Sequence, residues 1–190
     1  MIPETSAEVD HLRETPVERK PVYQGRLLHV FEDTVRLPDG SQARREVVEH
    51  RGAVAVVPVA ADGRVVLVRQ WRHAVGGAIW EIPAGTRDHE DEPVEATAIR
   101  ELQEETGFSP TVLTWLGEAG VSPGYSREIV SFFLAEGLAP GAPANAADET
   151  LDVAHFSGEQ IRALVREGRT DAKTLAGLAL AGRLPSLVDQ

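Results

Sequence analysis

Cysteine is absent from the chain, which removes disulfides, thiolate metal sites and cysteine nucleophiles from consideration. A secretory signal pattern is missing too: the opening MIPETSAEVDHLRETP is acidic and polar, where a signal would be basic and then apolar. The longest apolar run, AVAVVPVAA, is too short to cross a bilayer. Basic residues are in the minority. Nineteen Lys and Arg stand against 30 Asp and Glu, a net charge of −11. Such a surface disfavours nucleic acid and anionic membranes, but leaves room for a small anionic substrate held through metal ions. The six histidines show no metal-ligand spacing, and there is no internal repeat. These absences lead us to expect a cytoplasmic protein with no nucleic-acid or membrane partner.

What is present is a chain of 190 residues, 42% of them apolar. That is enough for a core, and for one domain or one domain with a small appendage. Residues 1 to about 20 are charged and contain proline, and read as a loose arm. From Tyr23 to His50 the pattern is of short strands, with PDGS as a turn and QARREVVEH as a resumed strand. AVAVVPVA reads as a buried strand and VVLVRQW as its hairpin partner across the Asp62-Gly63 turn. AIWEIPAG is a short strand entering a Pro-Gly loop. Beyond lie strands in TVLTWLGEAG, EIVSFFLAEGL and LDVAHFS, then two helices in GEQIRALVREG and DAKTLAGLALAG. Strands on both sides of one strong helix, without regular alternation, give an α+β class. The expected division is an N-terminal arm and small β segment over 1–50 and the main domain over 51–190.

The strong helix lies in EPVEATAIRELQEETG. Pro93 suits its first turn and Gly107 its C-terminal cap. Val94, Ala98, Ile99 and Leu102 recur at helical spacing as its core side. Glu101 and Glu105 are four residues apart and share a face, with Glu104 beside them. Like charges at that spacing repel, and near a helix C-terminus they oppose the macrodipole, at a cost of roughly 1 kcal/mol. Two readings follow. The glutamates form a solvated acidic face, or they gather carboxylate oxygens for a hard divalent cation such as Mg²⁺.

The flanking residues separate the two. RELQEETGF, from Arg100 to Phe108, resembles the Nudix hydrolase signature at every specified position of its end: Arg-Glu-apolar-any-Glu-Glu-any-Gly-apolar. Glu92 stands seven residues before it, as in that signature. Gly85 is separated from Glu92 by six residues where the signature has five, so the loop holds one residue more. Asp91 would restore that gap and spoil the next. Loops accept insertions more readily than helices, so Glu92 is carried over.

The wider stretches VRQWRHAVGGAIWEIPAG, SPGYSRE and DAKTLAGLALA resemble the ADP-ribose pyrophosphatase branch, as do the strands before His50. The resemblance implies a Nudix-type α/β/α sandwich with a mixed sheet, preceded by a small β segment. It implies Mg²⁺-dependent, or Mn²⁺-dependent, hydrolysis of a nucleoside diphosphate derivative. ADP-ribose would give AMP and ribose 5-phosphate. Glu101, Glu105 and the Ala84 carbonyl are the implied metal ligands, with Glu104 in the same catalytic cluster and Arg100 orienting the carboxylates. Glu149 is the implied further ligand or base, with a solvated loop acid as the other reading. Arg44, Arg45, Glu49 and Arg72 match substrate-contacting positions, although a solvated strand edge would equally explain Arg44 and Arg45. Trp71 reads as core packing ahead of base stacking. Another nucleotide sugar, a nucleoside triphosphate, or a non-catalytic binding module are the competing functions. A homodimer is expected, in which strands around residues 20–50 pack on the partner.

Overall fold

The structure, a computed structural model, describes residues 10–87, 91–141 and 150–187. They form two compact units. One gathers the described residues through His50 with Ser122–Glu128; the other takes Arg51–Val121 and the described residues from Ile129 onward.

The first unit is an antiparallel three-stranded sheet in the order β1 (Thr15–Gln24), β2 (His29–Arg36), β3 (Gln42–Glu49). More than half of β1 lies in the stretch expected to be a loose arm. Its prolines read against a strand, but β1 is a sheet edge, where proline is tolerated. The pairing with β2 slips between Pro16 and Glu18 and again between Pro21 and Tyr23. The turn after β2 follows its sequence. Asp39 Oδ1 accepts from the Ser41 N–H at 2.9 Å, and Gly40 takes φ +85°. The segment Ser122–Glu128 joins the free edge of β3, with Val48 N–H donating to Tyr125 O at 2.7 Å and Arg127 N–H to Val48 O at 3.0 Å. Among the described residues of this unit, Val35 is the one buried hydrophobic side chain.

The second unit is the α/β/α sandwich, with a mixed sheet. Its main sheet runs β7 (Ala84–Thr86), β4 (Ala53–Pro58), β10 (Ile129–Glu136), β9 (Val112–Gly120). β4 and β10 are parallel and the outer pairs antiparallel. A second, antiparallel sheet runs β12 (Asp152–Phe156), β5 (Val65–Arg72), β6 (Gly77–Glu81), and the short β8 (Phe108–Ser109) pairs with β11 (Ala139–Pro140). The helices are α1 (Val94–Thr106), α2 (Gly158–Arg166) and α3 (Ala172–Leu180).

Every residue of β4 is buried, and its two faces serve different layers. Val54 and Val56 join Phe133 and Ala135 against Ala98 and Leu102 of α1. Ala53, Ala55 and Val57 join Phe132, Ile161, Leu164 and Leu178 on the side of α2 and α3. A strand buried on both faces reads as a continuous apolar run, and this one does. Truncating a fully buried side chain such as Leu102 to alanine would cost about 2–5 kcal/mol.

Three sequence expectations are corrected here. The Asp62-Gly63 turn forms, with Ala60 N–H to Arg64 O at 2.9 Å, but β4 and β5 meet only at the Val59–Val65 bridge. Both edges of β4 are already taken, by β10 and β7, so β5 turns away into the second sheet. Ile99 is 41% exposed, off the face that Ala98 and Leu102 bury. Trp71 is 62% exposed, because β5 is buried only through Val68 and then runs past the core. Among the described residues no helix is long and apolar enough to cross a membrane.

Candidate active site

Three local devices bring the acidic helix against one piece of backbone. Gly107 ends α1 in the left-handed region, φ +76°, and its N–H returns to Gln103 O at 2.8 Å. At the other end Arg87 donates through Nε and Nη2 to the Glu92 carbonyl, at 3.2 and 2.6 Å, and so ties β7 to the start of the helix. Between them, β7 lies antiparallel on β4, with Ala84 opposite Ala55 and Gly85 opposite Val54.

The carboxylates of α1 meet that strand. Glu105, only 8% exposed, accepts the Ala84 N–H through Oε2 at 3.2 Å. Glu101 lies over Gly85 so closely that a β-carbon there would collide with its carboxylate. Arg100 sits among the acids. Its Nη1 donates to Glu101 Oε1 at 2.8 Å and to Glu104 Oε2 at 3.1 Å, and its Nη2 lies 3.6 Å from Glu92 Oε1. Glu92 therefore joins the cluster despite the longer loop before it. Glu104 is the most open of the four acids, with 40% of its side chain exposed against 13% for Glu101.

The Arg72 side chain forks onto Glu81, with Nε at 3.1 Å from both carboxylate oxygens and Nη2 also on Oε2. Burial alone would lower the Arg72 pKa. The hydrogen bonds and charge of Glu81, helped by the charges of Glu105 and Asp171, outweigh it, and the net shift is upward. Arg72 thus stays charged within the field of Glu105.

Three of the other expected residues belong to the first unit. Arg44, Arg45 and Glu49 lie on β3, in the first unit. Arg44 Nη1 is 3.3 Å from Glu32 Oε2, and Arg45 donates through Nε to Glu14 at 3.0 Å. Glu49 accepts from Arg127 at 3.0 Å and from Arg19. Burial would raise its pKa, but these two guanidinium groups bring it below the ordinary glutamate range. Glu149 lies outside the described residues. Arg87 and Glu81 were not singled out from the sequence. Glu81 carried a signal, being an acid set between apolar neighbours in the strand-like run AIWEI.

The donor chemistry suits a hard divalent cation, although among the described residues no three His, Asp or Glu side chains are placed together to hold one. Three carboxylates gather around one guanidinium, a fourth, Glu105, sits on the Ala84 N–H, and residue 85 lacks the side chain that would otherwise fill the space taken by Glu101. Oxygen donors with an excess of negative charge are what Mg²⁺ or Mn²⁺ takes.

The chain is similar to known proteins along both of its units. Residues 49–177 match the NUDIX domain family, and residues 14–48 match a family described as the nucleoside diphosphate sugar hydrolase N-terminal domain. The ADP-ribose pyrophosphatase of Bacillus subtilis (strain 168) is 41% identical over 127 residues, 67% of this chain and 68% of that protein. The methanol dehydrogenase activator of Bacillus methanolicus is 34% identical over 165 residues, 85% of this chain and 89% of that one. A crystal structure described as an ADP compounds hydrolase superposes with a TM-score of 0.79 at 24% identity, covering 90% of this chain and 94% of that one. The NUDIX match takes in β7, its loop and α1, the elements that assemble the carboxylates, and the chain belongs to the Nudix hydrolase family.

Proposed function

We propose that the protein hydrolyses the diphosphate bond of ADP-ribose, giving AMP and ribose 5-phosphate, with Mg²⁺ or, in its place, Mn²⁺. The observation that carries this reading is the placement of Glu101 and Glu105 against Ala84 and Gly85. The relative named ADP-ribose pyrophosphatase, 41% identical, supports the substrate.

In this reading Glu101, Glu105 and the Ala84 carbonyl hold the metal. When bound, the ion neutralises diphosphate charge and makes water a better nucleophile. Arg100 keeps Glu101 and Glu104 in place through charge-assisted bonds. Glu104, the most exposed acid of the cluster, receives protons or orients water. Glu149 is either a further ligand or the base that takes the proton of the attacking water. Arg72 meets a phosphate oxygen through the part of its fork that Glu81 leaves open. Water oxygen bonds to one phosphorus as the bridging oxygen leaves with the other phosphate. Such chemistry depends on positioning and charge neutralisation.

Arg44, Arg45 and Glu49 are proposed to contact the nucleoside or phosphates, and the protein to act as a cytoplasmic homodimer. A second reading keeps the reaction and changes the sugar. It is favoured by the match of residues 14–48 to a family described by nucleoside diphosphate sugars. The test is product analysis over ADP-ribose, GDP-mannose, NADH and dGTP, each with Mg²⁺ and with Mn²⁺. AMP from ADP-ribose at the highest kcat/KM is the expected result. No AMP with either ion would overturn the proposal, and a higher kcat/KM for GDP-mannose would select the second reading. No turnover of any substrate would leave a binding module.

A further inference from the structure

We propose that Glu81 is a positioning residue: held from behind by Lys173, it fixes the Arg72 guanidinium in the attitude that receives a substrate phosphate. The proposal rests on the diphosphatase reading and adds to it a role for Glu81 and the clasp behind it.

Glu81 ends β6 and is 3% exposed, the most deeply buried acid among the described residues. Its carboxylate is hydrogen-bonded by one cation and faces the charge of a second, which lies beyond hydrogen-bond reach. Arg72 reaches it with Nε and Nη2, and Lys173 Nζ lies 3.6 Å from Oε2. Lys173 in turn is 2.7 Å from Asp171 Oδ2, which closes a chain of alternating charge, Asp171–Lys173–Glu81–Arg72. Three of the four side chains are largely buried; Arg72, with 39% of its side chain exposed, is the open end.

The backbone around Glu81 is held as firmly as its side chain. Trp80 N–H donates to Arg169 O at 2.9 Å, and the Thr170 hydroxyl donates to Trp80 O at 2.7 Å. Ile82 N–H donates to Thr174 Oγ1 at 3.0 Å. One short segment, residues 169–174, thus clasps three consecutive residues, 80–82. Two residues further on, Ala84 gives its N–H to Glu105. The clasp therefore sets both Arg72 and the strand that faces the acidic helix.

Stability alone is a poor reason for this arrangement. A buried ion pair is often no more stabilising than apolar residues of the same volume, because desolvation offsets the attraction. What it supplies is direction. A guanidinium is planar, and two of its nitrogens on Glu81 leave Nη1 and the outer edge pointing one way. An arginine already fixed loses less freedom when it meets phosphate than one that must be ordered on binding.

The experiment compares wild type with Glu81→Gln, Arg72→Ala and the double variant. Readouts are kcat and KM for ADP-ribose, the Kd of its α,β-methylene analogue by calorimetry, and Tm. Glu81→Gln is expected to raise KM and Kd about tenfold while kcat falls less than about threefold, the pattern of a lost binding contact. The double variant is expected to match Arg72→Ala within about twofold, since Glu81 acts through Arg72. Lys173→Met, which leaves both partners in place, is expected to shift KM the same way by about threefold, and serves if Glu81→Gln does not fold. Additive losses, or unchanged KM in Glu81→Gln or in Lys173→Met, would overturn the positioning role and leave the diphosphatase reading intact. A wild type that neither binds nor cleaves any nucleoside diphosphate derivative would remove both.

Discussion

Glu101 sits on Gly85: its carboxylate occupies the space that a β-carbon at residue 85 would fill. Gly85 is not among the glycines with positive φ, so alanine would suit its backbone. The nearest obstacle is the carboxylate, at the far end of a flexible side chain. Gly85→Ala is therefore expected to fold with nearly unchanged Tm and to push Glu101 aside. A displacement on that scale costs about a hundredfold in rate. A variant with normal kcat would mean that Glu101 does not act from this position.

Glu101→Gln and Glu105→Gln are each expected to lower kcat by at least about a hundredfold, because a lost anionic ligand weakens charge stabilisation in the transition state. Both should remain folded. The glutamine at 105 can still accept the Ala84 N–H, now made to Glu105 at 3.2 Å. Near-normal turnover of either variant at saturating Mg²⁺ would remove that residue from the metal site.

Asp171 caps α3 by accepting the Thr174 N–H at 2.9 Å. Burial pushes its pKa up, but Lys173 and the Thr174 bonds pull harder, and the net shift is downward. A carboxyl whose folded pKa is depressed contributes stability above its unfolded pKa and loses it as pH falls through the folded value. Asp171→Asn keeps a capping side chain and removes the charge. We expect it to be less stable by about 1–2 kcal/mol at pH 7. The gap to wild type should close progressively below about pH 4. A gap independent of pH, in thermal melts from pH 7 to 3, would mean that the charge of Asp171 contributes nothing.

The acidic helix could be read from the sequence because its information is local. Arg100, Glu101 and Glu105 fall at helical spacing, and Gly107 marks the end. The burial of Ala98 and Leu102 follows from the same period. Strand pairing was less legible because it is not local. Nothing near Val54 or Val56 says that β10, far along the chain, occupies the edge a hairpin partner would have taken. The proline-bearing β1 was hidden for a different reason: Pro16 and Pro21 are acceptable only because the strand is an edge with slipped register. Glu81 needed the fold. Lys173, the cation that accompanies Arg72 there, comes from 92 residues downstream, and no spacing rule connects them.

The last prediction concerns assembly. The three-stranded first unit buries one hydrophobic side chain among its described residues, Val35, while Val17, Val22, Tyr23, Leu27 and Leu28 are exposed. All ten residues of β1 are exposed, and its outer edge pairs with no strand among the described residues. A sheet this thin, with an open edge, is a surface that a second copy of the chain can cover, and two-fold exchange is a common way to do it. Light scattering at micromolar concentration is expected to give twice the 20.6 kDa of the chain. A fully active species at the monomer mass would defeat the dimer. Whether the dimer also shares its sites is a separate question, answered by mixing Arg44→Ala/Arg45→Ala with Glu101→Gln/Glu105→Gln. If the arginines of one chain serve a metal site of the other, mixed dimers contain one site with both sets intact, and activity returns. No recovery after demonstrated subunit exchange would mean that each site is complete within its own chain.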